Sequence, residues 1–316
     1  MKGRKTLTAS MGTTKVGFVG IGNMGRPMAA NQIAGGWQLT VYDVDREKAD
    51  AFAVEHGCGS AHSLAELGER SDVVVLMLPD GRIVRNVALG DSAGSDCLVR
   101  GLQAGTTIVD MSSSAPVGTR ALGEDLRTFG VALLDAPVSG GMKGAIAAKL
   151  SIMVGGDRAL ADQLDPLLAT MGKRFHIGPL GSGHAVKVLN NYVSAAGLAA
   201  AAEALLVAQR FGVDGEVLID VLNASTGRNN STENKFKQYV LNNAYDSGFA
   251  LELMVKDLKL AMDVADACEV PATLGHACLQ LWEDARAWNG PNADHTEFAR
   301  FVTESAASAS PAKASR

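Results

Sequence analysis

A chain of 316 residues is long for one ordinary domain and suits two, each large enough to bury its own core. With 47% hydrophobic residues, 20% charged residues and a net charge of -5, it has a globular composition and lacks the basic surface that nucleic-acid phosphates demand. Its apolar runs, such as 73–79, read as too short to cross a bilayer, so neither a nucleic-acid nor a membrane partner is expected and the substrate is expected to be small.

Residues 1–14 contain Lys2, Arg4 and Lys5 without an apolar stretch, which predicts a flexible extension rather than a secretory signal. From 15 to 180, short β-branched runs alternate with amphipathic segments, the pattern of a parallel sheet covered by helices. Strands are predicted over 16–20, 38–43, 73–78, 107–110, 132–136, 151–154 and 174–176, with helices over 24–34, 46–56 and 63–69 between them. From 181 to 302 the alternation stops and long helices take over. The alanine-rich, proline-free stretch 185–211 ends at Gly212 and reads as one long helix joining the two domains. Further helices are expected over 215–224, 232–242, 251–268 and 273–287, with Pro271 and Gly290-Pro291 in loops. Residues 303–316, with their Ala- and Ser-rich run from 306, read as a flexible tail.

The first strand runs straight into Gly20, Ile21, Gly22, Asn23, Met24 and Gly25 and then into a helix. That context makes the glycine spacing a dinucleotide site: Gly20 for the tight turn, Gly22 for approach to a pyrophosphate, Gly25 for helix packing. Asp43, 23 residues after Gly20 at the end of the second strand, is placed to accept hydrogen bonds from the adenosine ribose. A carboxylate there repels a 2′-phosphate, which selects NAD over NADP, with Arg46 one turn on as the residue able to compensate. The competing reading makes Asp43 the N-cap of the next helix. The fold expectation is therefore an α/β Rossmann domain with a doubly wound, mostly parallel sheet, followed by an all-α domain.

The segment GFVGIGNMGRPMAAN from Gly17 to Asn31 resembles the opening motif of the 3-hydroxyisobutyrate dehydrogenase family, the β-hydroxyacid dehydrogenases, which are related to 6-phosphogluconate dehydrogenase. Three later segments agree: DAPVSGG from Asp135, GSGHAVKVLNN from Gly181 and KDLKLA from Lys256. The resemblance implies that Ser139, Gly140 and Gly141 hold a substrate carboxylate. It implies that Lys187 is the catalytic acid/base and that Lys256 serves the cofactor. Leu78 and Pro79 resemble the family's strand-end cofactor contact, and Ser113 stands where a threonine usually lies near the nicotinamide ribose. Ala148 and Lys149 depart from the usual glycine and threonine, and the loop DGRIVRN after Pro79 departs as well, so the substrate is less defined than the reaction class.

The residue types suit that chemistry. Moving a hydride from an alcohol carbon requires a group to take the hydroxyl proton, and a lysine beside a cationic nicotinamide can take and return it. Asn191, four residues after Lys187 on one helix face, is placed to orient it, whereas Asn190 faces away. His184, one residue after Gly183, reads as a helix-start residue, and the six histidines have no metal-ligand spacing, so no metal is expected. Cys58, Cys97, Cys268 and Cys278 show no disulfide pattern, which predicts a reducing, cytoplasmic setting. The expected function is NAD-dependent hydride transfer to or from a small hydroxy-carboxylate by a homodimer or homotetramer. The alternative from another class is a catalytically silent dinucleotide sensor, against which the retained Lys187 argues.

Overall fold

The computed structural model describes residues 13–308. The chain divides into two compact units, the first ending at Lys187 and the second starting at Val188. In the first unit β1 (Lys15–Val19) leads to α1 (Gly25–Ala34), β2 (Gln38–Tyr42), α2 (Arg46–His56), β3 (Gly59–Ser60), α3 (Leu64–Glu69) and β4 (Val73–Leu76). Then come α4 (Gly81–Leu89), β5 (Thr107–Asp110), α5 (Pro116–Thr128), β6 (Ala132–Asp135), β7 (Val138–Ser139), α6 (Gly141–Ile146) and β8 (Leu150–Gly155). Two short helices, α7 (Arg158–Gln163) and α8 (Asp165–Leu168), precede β9 (Gly172–Gly178), and α9 (Ser182–Phe211) carries the chain into the second unit.

The nine strands form one sheet in the order β3-β2-β1-β4-β5-β6-β8-β7, with β9 beside β8. All pairings from β3 to β6 are parallel, and β8 runs antiparallel to β6 and β7. This is the doubly wound arrangement, in which the chain starts mid-sheet and winds outward both ways. β4 shows why such strands read as unbroken apolar runs. Val73 and Val75 enter the cluster on one face with Phe18, Met28 and Phe52, while Val74 and Leu76 enter the other with Leu67, Ile108 and Leu126. Each face buries its own helices.

Local signals set the helix ends. Asp45 caps α2 by accepting from Lys48 N at 3.1 Å, and Gly57, with φ 66, closes it in the left-handed conformation. α4 and α5 fall outside the sequence reading, although Asp80 caps α4 and Pro116 occupies the first turn of α5.

The second unit is helical: the later part of α9, α10 (Gly215–Ala224), α11 (Asn230–Asn234), α12 (Leu251–Ala267), α13 (Thr273–Asn289) and α14 (Phe298–Ser308). Its core includes Ala195, Leu198 and Ala202 of α9, Ile219, Leu258 and Trp282, with Trp282 stacked on Phe298 at 4.4 Å. Large-to-small truncation of a fully buried tryptophan typically costs about 3–5 kcal/mol. Burial pushes the Cys278 thiol up to about 11, so it stays protonated.

Three expectations change. The single helix expected over 232–242 is α11 followed by a wide π turn, Phe236–Val240, because Asn229 and Thr232 cap each other earlier and Lys235 leaves helical geometry. The tail expected from residue 303 is helical to Ser308, since Phe298 and its neighbours dock on the core and alanine favours helix; 309–316 lie outside the described residues, as do 1–12 of the expected extension. Finally, α9 is long and apolar enough to cross a membrane by length and composition, with a mean hydropathy of 1.4 over an 18-residue window, contrary to the reading of the apolar runs. Its alanines build that length without any long run of large apolar residues, and its buried residues between Ala195 and Leu205 line the helical core.

Candidate active site

β1 ends under a loop whose glycines answer different needs. Gly20 has φ +97, and a Cβ there would collide with the carbonyl oxygen of Met77. A Cβ on Gly25 would collide with the Gly20 carbonyl, so this glycine lets α1 lie close to the strand. Gly22 is exposed, and nothing in the protein lies within 4 Å of where its Cβ would be. No neighbour requires it to be glycine, which leaves room for a ligand to approach the backbone. Met24 precedes α1 without a side-chain cap, and the first turn holds no acid, so the positive end of the helix faces outward uncompensated. Those features fit a dinucleotide pyrophosphate. A groove of about 460 Å³ beside the loop is lined by Ile21, Gly22, Asn23, Arg26, Met142 and Ile146, among others.

Asp43 lies at the end of β2, next to that loop. Its Oδ2 accepts from Ile21 N at 2.7 Å and its Oδ1 accepts from Asp45 N at 3.0 Å. The cap of α2 is Asp45, so the N-cap reading of Asp43 does not hold. Each carboxylate oxygen keeps a second lone pair, which leaves ribose hydroxyls something to bond. Arg46 is engaged by His62 Nδ1 at 2.6 Å.

Beyond the ends of β4 and β5, Leu78 N donates to Ser112 Oγ at 3.0 Å, joining the segment of Leu78 and Pro79 to the one that carries Ser113. Ser112 N in turn donates to Asp110 Oδ1 at 3.0 Å. Ser139 ends β7, paired across the sheet with Ser151. Gly140 and Gly141 follow with φ +129 and +60, a turn that side-chain-bearing residues rarely adopt. Asn31 Nδ2 donates to Ala145 O at 2.7 Å, so α1 and α6 are tied together and the Ser139–Gly141 turn is held in the same unit as the dinucleotide loop.

Lys187 is half-buried in the second turn of α9, at the end of the first unit. Asn191 follows one turn later on the same helix and is buried at 7% exposure. Within the second unit, Asn191 Nδ2 donates to Asp257 Oδ2 at 2.6 Å, and its own Oδ1 accepts from Asn190 at 3.1 Å. Asp257 is 2% exposed, and its other oxygen lies 3.6 Å from the Lys256 ammonium. Lys256, Asp257, Asn191 and Asn190 thus form one chain of contacts.

Sequence reasoning gave Asp257 no role, although it follows Lys256 directly. It also missed Ser112, and while His184 does stand in the first turn of α9 as read, the reading did not foresee that its ring is fully buried between two carboxylates. Among the described residues, no group of three or more His, Cys, Asp or Glu is placed to hold a metal.

A family model described as the NAD binding domain of 6-phosphogluconate dehydrogenase matches residues 15–206. A second, described as NAD-binding of NADP-dependent 3-hydroxyisobutyrate dehydrogenase, matches 181–302. The 3-hydroxyisobutyrate dehydrogenase of Pseudomonas aeruginosa is 38% identical over 276 residues, covering 85% of this chain and 91% of its own. The 2-(hydroxymethyl)glutarate dehydrogenase of Eubacterium barkeri is 35% identical over 275 residues, covering 86% and 89%. The solved structure of Mycobacterium tuberculosis 3-hydroxyisobutyrate dehydrogenase with L-serine matches with a TM-score of 0.83 and 33% identity, covering 92% of this chain and 99% of that one. The chain belongs to the 3-hydroxyisobutyrate dehydrogenase family, the NAD(P)-dependent β-hydroxyacid dehydrogenases that act on CH–OH groups.

Proposed function

We propose that this enzyme moves a hydride between NAD and a small β-hydroxy-carboxylate or its semialdehyde, with Lys187 carrying the proton. The observation that carries the reading is the tether of α1 to α6, which keeps an open glycine loop and an uncapped helix end beside the Ser139–Gly141 turn. Bound NAD supplies the hydride acceptor. In the oxidising direction Lys187, as the amine, takes the hydroxyl proton; in the reducing direction the ammonium returns it. The Ser139 hydroxyl with the Gly140 and Gly141 amides fixes the carboxylate, which decides which carbon faces the nicotinamide. Asn191, held by Asp257, orients Lys187 and the substrate hydroxyl, and Lys256 serves the cofactor. Leu78, Pro79 and Ser113 line the cofactor side. Asp43 favours NAD over NADP.

The relatives' names narrow the substrate class. 2-(Hydroxymethyl)glutarate, L-serine and 3-hydroxyisobutyrate share a hydroxymethyl group on the carbon that bears the carboxylate. A substrate of the form HOCH2–CHX–COO⁻ is the corresponding choice here, with X undefined. The proposed division is a Rossmann domain over 15–180 and a helical domain over 181–302, with the first turns of α9 packed in the first compact unit up to Lys187. The four free cysteines fit a reducing, cytoplasmic setting.

A panel of hydroxymethyl acids and semialdehydes, each offered with NAD or NADP and followed at the reduced-nicotinamide absorbance band, tests the reading. Turnover of at least one HOCH2–CHX–COO⁻ acid with NAD is expected. Turnover restricted to alcohols without a carboxylate would overturn the role of the Ser139–Gly141 turn.

A further inference from the structure

The first amides of α9 lie buried against the sheet and need acceptors. They find one on a distant strand. Asp135, at the end of β6, accepts from Gly181 N at 2.7 Å and from His184 N at 2.8 Å, so a carboxylate 0% exposed caps the positive end of the 30-residue helix. Gly155 and Gly183 make space for it. A Cβ on Gly183 would lie 2.8 Å from Asp135 Oδ2, and one on Gly155 would collide with Oδ1.

The His184 ring fills the gap between this cap and the end of β5. Its Nε2 lies 3.0 Å from the Ser112 carbonyl; a carbonyl only accepts, so Nε2 carries the hydrogen and donates. Its Nδ1 meets the Thr119 hydroxyl at 2.8 Å. The ring nitrogens stand 3.7 Å from Asp110 Oδ2 and 3.8 Å from Asp135 Oδ2, and Asp110 also accepts from Ser114 Oγ at 2.8 Å. The imidazole therefore bonds α5 and the Ser112–Ser114 segment from its own place on α9, three residues before Lys187. Ser112 is the same residue that receives Leu78 N.

We propose that His184 is a positioning residue for hydride transfer: it locks the first turn of α9, from which Lys187 follows one turn on, onto the Ser112–Ser114 segment, which carries the proposed cofactor-side contacts. This rests on reading Lys187 as the proton carrier. A buried ring that only filled space would be replaceable by an apolar residue of similar volume. A positioning ring is not, because an unpaired Ser112 carbonyl lets the segment and the helix turn drift, and displacements of about 1 Å cost on the order of a hundredfold in rate.

The test compares His184→Leu with His184→Gln, whose amide keeps a donor for the Ser112 carbonyl. Folding is checked by circular dichroism, NAD affinity by calorimetric titration, and kcat across pH. His184→Leu should lose about ten- to a hundredfold in kcat, weaken NAD several-fold and move the Lys187 limb of the pH profile, while His184→Gln recovers most of all three. A folded leucine variant with unchanged kcat, NAD affinity and pH limb overturns the proposal. Equal losses in both variants with an unmoved limb overturn it too, because they show packing alone. If His184→Leu fails to fold, Thr119→Val, which removes only the hydroxyl facing Nδ1, must move the limb in the same direction, and an unmoved limb overturns the proposal. NAD affinity separates the two readings. If Lys187→Met leaves the pH limb in place, the proton-carrier role fails, yet weakened NAD binding in His184→Leu still reports the grip on Ser112–Ser114.

Discussion

Asp43 divides one carboxylate between two tasks, holding the glycine loop through Ile21 N and, as proposed, meeting the adenosine ribose. Its removal therefore has two costs. Asp43→Asn weakens a charge-assisted hydrogen bond, worth about 1.5–3 kcal/mol, so kcat/KM with NAD should fall about ten- to a hundredfold. The charge that repels a 2′-phosphate goes at the same time, so the preference for NAD over NADP should narrow. Steady-state kinetics with both cofactors checks this, and a wild-type enzyme more efficient with NADP would contradict the assignment. The residues of the glycine loop were legible because their chemistry is local: a turn, a close approach and a helix start within six positions. Asp257 and Asp135 were not, because their partners lie 66 and 49 positions away along the chain, and only the fold brings them together. His184 was only half legible for a related reason. Its sequence neighbours describe a helix start, while its ring contacts come from β5, β6 and α5.

At the scale of elements, the central strands were readable because burial on both faces makes them unbroken apolar runs, and α10 because Asp214 marks its first residue. The two-residue strands β3 and β7 carry no period to read, and α6 hides behind the glycines of its own turn. In the second unit Asp294 organises a junction: it accepts from Ser247 Oγ, Gly248 N and Thr296 N, and His295 Nδ1 stands 3.4 Å away. Burial pushes this carboxyl up, but the hydrogen bonds from His295 and Thr296 outweigh it and hold the group well below the usual carboxylate range. A folded-state value below the unfolded one stabilises the protein above the unfolded pKa, near 3.9, and that contribution fades as pH falls through the folded value. Urea unfolding of wild type should thus lose stability from about pH 5 downward, with a shallower loss in Asp294→Asn. Identical slopes for the two proteins would contradict the account of this junction.

For the whole molecule, the helical unit leaves an apolar face uncovered. Val193, Val207 and Phe211 of α9 are 67%, 68% and 87% exposed, and Val217 and Val221 of α10 are 56% exposed each. Patches of this kind on a folded chain mark contact surfaces, and a second copy of the same chain is the proposed cover, as a dimer or tetramer. Light scattering at micromolar concentration should give a mass of at least two chains, and Val207→Glu with Phe211→Glu should lower it; a monomeric wild type would contradict the assembly. The most direct measurement of the central claim is the pH dependence of kcat for Lys187→Met against wild type, with NAD affinity measured alongside. Methionine keeps length and helix propensity while removing the titrating amine. NAD should bind normally, the limb of the profile should vanish and turnover should fall by about 10²–10⁴-fold, the usual contribution of a general acid/base. Normal NAD binding with the limb retained and more than about a tenth of wild-type turnover would mean that Lys187 does not carry the proton.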